Sequence, residues 1–212
     1  MLKRFAQRGD TLIEVLFAVT VFSFVVVGAL TIMNQGTAAS QRSLEITLVR
    51  QEIDAQAEAL RLTHDSYVSV YRSGITFNTS DGSTSPAEEW WRMTTSGFSA
   101  TAASPFGAGA TTCPTPPSGS FIMDARNVRF VSGTGTTLRP SVTYAQVAYN
   151  PNGTFNSAQG IWIEPIRSAA SGETFQQNTG FIDFHIRACW QAPGLSVPLT
   201  TGTIVRLYEP RG

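Results

Sequence analysis

The chain has 212 residues, 42% hydrophobic and only 14% charged, with 15 basic residues balancing 15 acidic ones. That balance, with no basic stripe, excludes a DNA-binding surface of the usual sort, and two cysteines and two histidines supply no close-spaced metal-ligand pattern. All 11 prolines and 15 of the 18 glycines lie after residue 65, so the chain reads as one long helix followed by one turn-rich domain.

The first element is apolar. Residues 15–33 contain no charge, and at about 1.5 Å per residue a helix of that length roughly matches a ~30 Å hydrocarbon core. Thr37, Ala38 and Ala39 could mark a signal-peptide cleavage site, but the apolar run exceeds the roughly 7 to 15 residues of a signal h-region. Lys3, Arg4 and Arg8 precede the run, and the next basic residue is Arg42. The positive-inside bias therefore places the N-terminus in the cytoplasm and everything beyond residue 35 outside.

The helix continues as QRSLEITLVRQEIDAQAEALRL, where Ile46, Val49, Ile53, Ala57 and Leu60 recur at spacings of three and four. This stripe predicts burial against the following domain, and no heptad persists long enough for a coiled coil. The expected helix covers residues 11–62, about 78 Å at the standard rise. Asn34-Gln35-Gly36 is the expected weak point, because glycine costs about 1 kcal/mol relative to alanine. His64 is placed at the helix end as a C-terminal cation.

The segment Gly9-Asp10-Thr11-Leu12-Ile13-Glu14-Val15-Leu16 resembles the N-terminal signature of type IV prepilins and the related pseudopilins, with its short basic leader of Lys3, Arg4 and Arg8 ending in glycine. The resemblance covers residues 3–35. It implies that a membrane peptidase cuts between Gly9 and Asp10 and methylates the new amine, making Glu14 the fifth mature residue. The first mature residue of the family is usually large and apolar, whereas here it is Asp10, whose carboxylate partly cancels the charge of the amine beside it.

Glu14 admits two roles. An ionisable group in a membrane helix costs about 2.5 to 3.5 kcal/mol on insertion scales, and in pilin-like filaments its partner is the amino terminus of a neighbouring subunit. Thr11-x-x-Glu14 is also a capping box, which satisfies free N–H groups at a helix start.

The resemblance implies a structural subunit of a type IV pilus or pilus-like filament, inserted as a single-pass precursor and exposed at the cell surface after assembly. The implied partners are other pilin subunits, the prepilin peptidase, the assembly platform and, before assembly, membrane lipid; no cofactor or nucleic acid is implied. The expected organisation is a leader at 1–9, a transmembrane and filament-core helix at 10–35, an exported amphipathic half at 36–64 and an extracytoplasmic β-rich domain at 65–212. A pseudopilin of a secretion or DNA-uptake apparatus fits the same signature. A signal-anchored domain binding carbohydrate through Trp90, Trp91, Trp162 or Trp190 is the alternative of a different class, and it requires those tryptophans to be exposed.

Beyond the helix, β-type runs fall at 67–72, 121–131, 142–149, 161–167, 181–190 and 203–209, separated by turn signals such as Pro151-Asn152-Gly153 and Pro193-Gly194. They predict an α+β fold, with an antiparallel sheet packed on the exported half of the helix. Residues 78–119 read as a long surface excursion. In FIDFHIRACW, Ile182, Phe184, Ile186, Ala188 and Trp190 share an apolar face, while Asp183, His185, Arg187 and Cys189 share a polar one. A cysteine on a polar face in an oxidising space predicts a disulfide between Cys189 and Cys113 of the loop TTCPTPP.

Catalytic patterns are lacking: the sequence holds no G-x-S-x-G, H-E-x-x-H or P-loop, and the chain is not read as an enzyme. Glu88-Glu89 beside Trp90-Trp91 offers two carboxylates, but neighbours in sequence do not flank a glycosidic bond from opposite sides. His185 is expected as an exposed strand residue, and Arg126, Arg129 and Arg139 as solvated strand residues.

Overall fold

A computed structural model describes residues 10–74, 85–97, 111–167 and 180–210. The elements are α1 (Asp10–Tyr71), α2 (Pro86–Arg92) with a π-helical turn at Met93–Gly97, β1 (Phe121–Asp124), β2 (Arg129–Ser132), β3 (Leu138–Arg139), β4 (Gln146–Tyr149), β5 (Phe155–Gln159), β6 (Ile161–Arg167), β7 (Ile182–Trp190) and β8 (Leu199–Leu207). The architecture is α+β. The chain divides into two compact units, Met1–Leu44 and Glu45–Gly212.

In the first unit α1 runs through Asn34-Gln35-Gly36 without a break. Nothing crowds Gly28 or Gly36, and the cost of two glycines is small beside the cooperativity of so long a helix. Three hydroxyls in the apolar run turn back onto the helix: Thr20 donates to the Phe17 carbonyl, Ser23 to Val19 and Thr31 to Val27, at 2.7 to 2.9 Å. The helix surface is thereby left apolar.

In the second unit α1 passes the expected end at Leu62 and absorbs residues 67–71 of the run 67–72, whose β-type composition predicts a strand. Ser66 donates to the Leu62 carbonyl at 2.6 Å and Ser69 to that of Ser66 at 2.7 Å, so hydroxyls that favour turns are spent inside the helix. Tyr67 and Tyr71 meet at 5.8 Å, one turn apart. The segment ends at Gly74, whose φ of +70° is the left-handed conformation glycine adopts without steric cost.

Five antiparallel strands form the main sheet in the order β2-β1-β6-β7-β8, and β3-β5-β4 form a second, smaller sheet. Register places Phe121, Ile163, Ile186 and Thr203 in one row across four strands. The apolar face of β7 joins Val49, Ile53, Ala57 and Leu60 of α1 in one core, each fully buried large side chain contributing about 1.5 to 3 kcal/mol. β1 pairs with β6 only at Phe121↔Ile163. Past that point Gln56 of α1 takes over the ladder: its Nε2 donates to the Met123 carbonyl and its Oε1 accepts from the Met123 N–H, both at 2.9 Å.

Residues 85–97 correct the reading of 78–119 as a long surface excursion over that stretch, where Ala87, Trp90 and Met93 are buried, while 78–84 and 98–110 lie outside the described residues. Ser85 caps α2 with a complete capping box to Glu88, and Pro86 sits at the first helical position. Trp90 then enters the core, 4.9 Å from His64 and 5.7 Å from Phe184, ring to ring and edge-on. The expected strand at 121–131 is a hairpin of β1 and β2 with a turn at 125–128, and Val142 lies outside β4.

Candidate assembly interface

The apolar side chains of α1 from Leu12 to Met33 are exposed, with Phe24 at 80%. Among the described residues, α1 is the one helix long and apolar enough to cross a membrane, and it is compatible with a single-pass anchor. Glu14 is the only ionisable residue in 12–33, and its side chain is exposed among these apolar ones. Lys3, Arg4, Arg8 and Gly9 lie outside the described residues. Asp10 and Thr11 belong to the first turn of α1, and their side chains also lie outside the described set, as does the capping box proposed between Thr11 and Glu14.

The stapled sheet lies in the second unit. Cys113 and Cys189 form a disulfide with Cα atoms 5.6 Å apart. It closes a loop spanning a separation of 76 residues, which loop entropy values at roughly 4 kcal/mol. Cys189 does share a face with Arg187 and His185, but that face is covered at its Cys189 and Arg187 end. Cys189 and Glu164 are fully buried, and Arg187 and Trp162 nearly so.

Trp162 Nε1 donates to Glu164 Oε1 at 2.7 Å. Arg187 Nη2 lies 3.5 Å from Glu164 Oε2 and 3.4 Å from His185 Nδ1. His185 is half-buried rather than exposed, and burial, aided by the positive charge of Arg187, pushes its pKa down. The register of the two strands builds this cluster, setting Trp162 opposite Arg187 and Glu164 opposite His185, and alternation within either strand alone does not reveal it.

Other candidate residues serve structure. His64 lies within α1, not at its end; its Nε2 is 2.7 Å from the Tyr208 carbonyl and its Nδ1 3.0 Å from Asp65. Glu88 completes the α2 capping box by accepting from the Ser85 N–H, while Glu89 Oε2 accepts from the Phe130 N–H at 3.0 Å and from Arg92 at 2.6 Å. Arg126 stacks 4.0 Å over the Tyr149 ring, and Arg139 donates to the Thr136 carbonyl. Burial, with Asp124 beside it, pushes the Tyr149 phenol up to about 12.

A carbohydrate platform needs exposed aromatic faces. Trp90, Trp162 and Trp190 are 1%, 2% and 1% exposed, and Trp91 is half-buried. Trp190 Nε1 donates to Glu45 at 3.0 Å, tying the end of β7 to α1. Among the described residues no three His, Cys, Asp or Glu side chains group as metal ligands.

Comparison with protein families, curated proteins and solved structures finds no match to this chain. Functional inference therefore rests on the apolar helix with its glutamate and on the internal engagement of the polar and aromatic groups behind it.

Proposed function

We propose that the chain is a structural subunit of a type IV pilus or pilus-like filament, inserted as a single-pass prepilin with its N-terminus inside, cleaved after Gly9 and assembled through α1. The observation that carries this reading is the exposed apolar surface of residues 12–33, interrupted by the single carboxylate of Glu14. Such a surface requires either lipid or other apolar helices around it. Transfer from lipid to a helix bundle gains little hydrophobic energy, so close packing and pairing of Glu14 with a neighbour's amino terminus supply the specificity. Three buried tryptophans support a scaffold rather than a ligand platform.

Removing Lys3, Arg4 and Arg8 with the leader leaves 12 basic against 15 acidic side chains in the mature subunit. Intact mass spectrometry of the membrane-extracted protein tests the reading: the expected mass lacks residues 1–9 and carries one added methyl group. Gly9→Val, which places a β-branched side chain at the cleaved bond, should leave the precursor whole. A wild-type mass that retains residues 1–9 overturns the prepilin assignment.

A further inference from the structure

β4 and β5 are joined by a tight turn, Asn150-Pro151-Asn152-Gly153-Thr154. The Gly153 N–H donates to the Asn150 carbonyl at 2.9 Å, with Pro151 at the second position, where its fixed φ suits the turn. Gly153 has φ +82°, and the Asn150 N–H closes the hairpin on the Thr154 carbonyl at 2.8 Å. Asn152 and Thr154 are exposed at this tip.

Side chains lock the same turn. Asn152 Oδ1 accepts twice from Thr154, from the backbone N–H at 3.1 Å and from the hydroxyl at 2.7 Å. The hydroxyl in turn accepts from Asn150 Nδ2 at 2.9 Å. The amide nitrogen of Asn150 is thereby engaged, as is that of Asn127 on Asp124. Asn152 Nδ2 donates to no group among the described residues.

We propose that Asn152 is an acceptor for N-linked glycan transfer from a lipid-linked glycosyl pyrophosphate, with Thr154 preparing its amide. Asn152-Gly153-Thr154 has the acceptor spacing of an asparagine, a non-proline residue and a hydroxyl residue. That spacing recurs by chance; here the fold also sets the hydroxyl on the amide oxygen. An amide nitrogen is a weak nucleophile because its lone pair is shared with the oxygen. As Nδ2 gives up a proton, negative charge collects on Oδ1, where two donors already stand to hold it. In the transfer a bond forms between Nδ2 and the anomeric carbon of the sugar, and the bond from that carbon to the phosphate oxygen breaks. The lipid pyrophosphate leaves with the electron pair, and the amide proton passes to a base of the transferase. An exposed hairpin tip admits the transferase and leaves the bulky glycan in solvent.

Transfer requires the outward placement of the second unit that the filament reading includes, but neither leader cleavage nor assembly. The test maps peptides of the full-length protein, extracted from the membranes of its own cells as wild type and as Gly9→Val. A mass excess made of sugar units is expected on Asn152 in both backgrounds, because insertion and not cleavage exports the tip. Asn152→Gln should return the intact wild-type mass to that of the leaderless, methylated chain. Thr154→Ser should keep the glycan, whereas Thr154→Val, which removes the hydroxyl and keeps the shape, should lower occupancy about tenfold.

A wild-type Asn152 peptide without sugar, a mass excess unchanged by Asn152→Gln, or equal occupancy in Thr154→Val and Thr154→Ser overturns the proposal. The second match to the acceptor spacing, Asn78-Thr79-Ser80, lies outside the described residues, and sugar found there alone overturns it as well. Sugar on Asn152 in a wild-type chain that keeps residues 1–9 supports the site and removes the prepilin assignment instead.

Discussion

Asp183 and His185 lie two residues apart on one face of β7 and respond to different surroundings. Hydrogen bonds from Arg206 hold the Asp183 carboxyl below the usual carboxylate range, whereas burial holds the His185 imidazole below the usual histidine value. For His185 the unfolded chain binds the proton more readily, so its stabilising effect is present above pH ~6.5 and is lost as the pH falls below that. For Asp183 the effect is present above pH ~4 and is lost as the pH falls through the lowered folded value. Glu52 acts in the opposite sense, because burial raises its pKa and acid relieves the cost of holding it charged. Thermal unfolding followed from about pH 7.5 to 5 should therefore fall less steeply in His185→Gln than in the wild type. Identical slopes would show that His185 does not titrate against the fold. Alternation in β7 made its apolar face legible in advance, since Ile182, Phe184, Ile186, Ala188 and Trp190 are all buried. It said nothing about the opposite face, where the disulfide holds the Cys113 loop at β7 and β6 supplies Trp162 and Glu164. Two-residue periodicity reports which side chains share a face, and only tertiary structure decides whether that face is covered.

Helix and sheet are joined at the element scale by a side chain that imitates a strand. Gln56 pairs with both backbone groups of Met123, and Gln56, like Met123, is fully buried. Gln56→Leu preserves apolar volume but strands a donor and an acceptor, each costing roughly 1 to 3 kcal/mol. Urea unfolding should show a lower midpoint with an unchanged slope, the mark of lost stability rather than altered compactness; a midpoint equal to the wild type would mean that water replaces the amide. The stripe Val49, Ile53, Ala57 and Leu60 was readable because burial at a 3.6-residue period leaves a repeating pattern. Gln56 was not readable, because a polar residue within the stripe looks like a solvated position until its partner is known. α2 did have a local signal, Ser85-Pro86 followed by Glu88, although it is short and lies in low-hydrophobicity surroundings. β3 has two residues and β5 reads FNSAQ, so both depend on pairing rather than on propensity.

At the scale of the whole molecule the division of labour follows composition. The proline-free segment forms α1, and the proline- and glycine-rich remainder forms the stapled sheet domain. The candidate interface was legible because an uncharged run broken by one glutamate is visible without coordinates, whereas the buried Glu164 cluster required the register of two strands. Glu14 decides between a filament subunit and a simple anchor. Glu14→Leu removes a charge that costs about 2.5 to 3.5 kcal/mol in a membrane helix, so an anchored domain should insert as well or better. A filament subunit should insert equally well and then fail later, with processed protein accumulating in the membrane and depleted from sheared filaments. Glu14→Gln separates the charge from the shape, since glutamine also serves at the third position of a capping box. In cells lacking the native copy, charge pairing predicts that both variants are processed and that both assemble poorly. If Glu14→Gln assembles at the wild-type level while Glu14→Leu does not, the carboxylate acts through hydrogen bonding at the helix start, and charge pairing with a neighbour's amino terminus is ruled out as the source of assembly specificity.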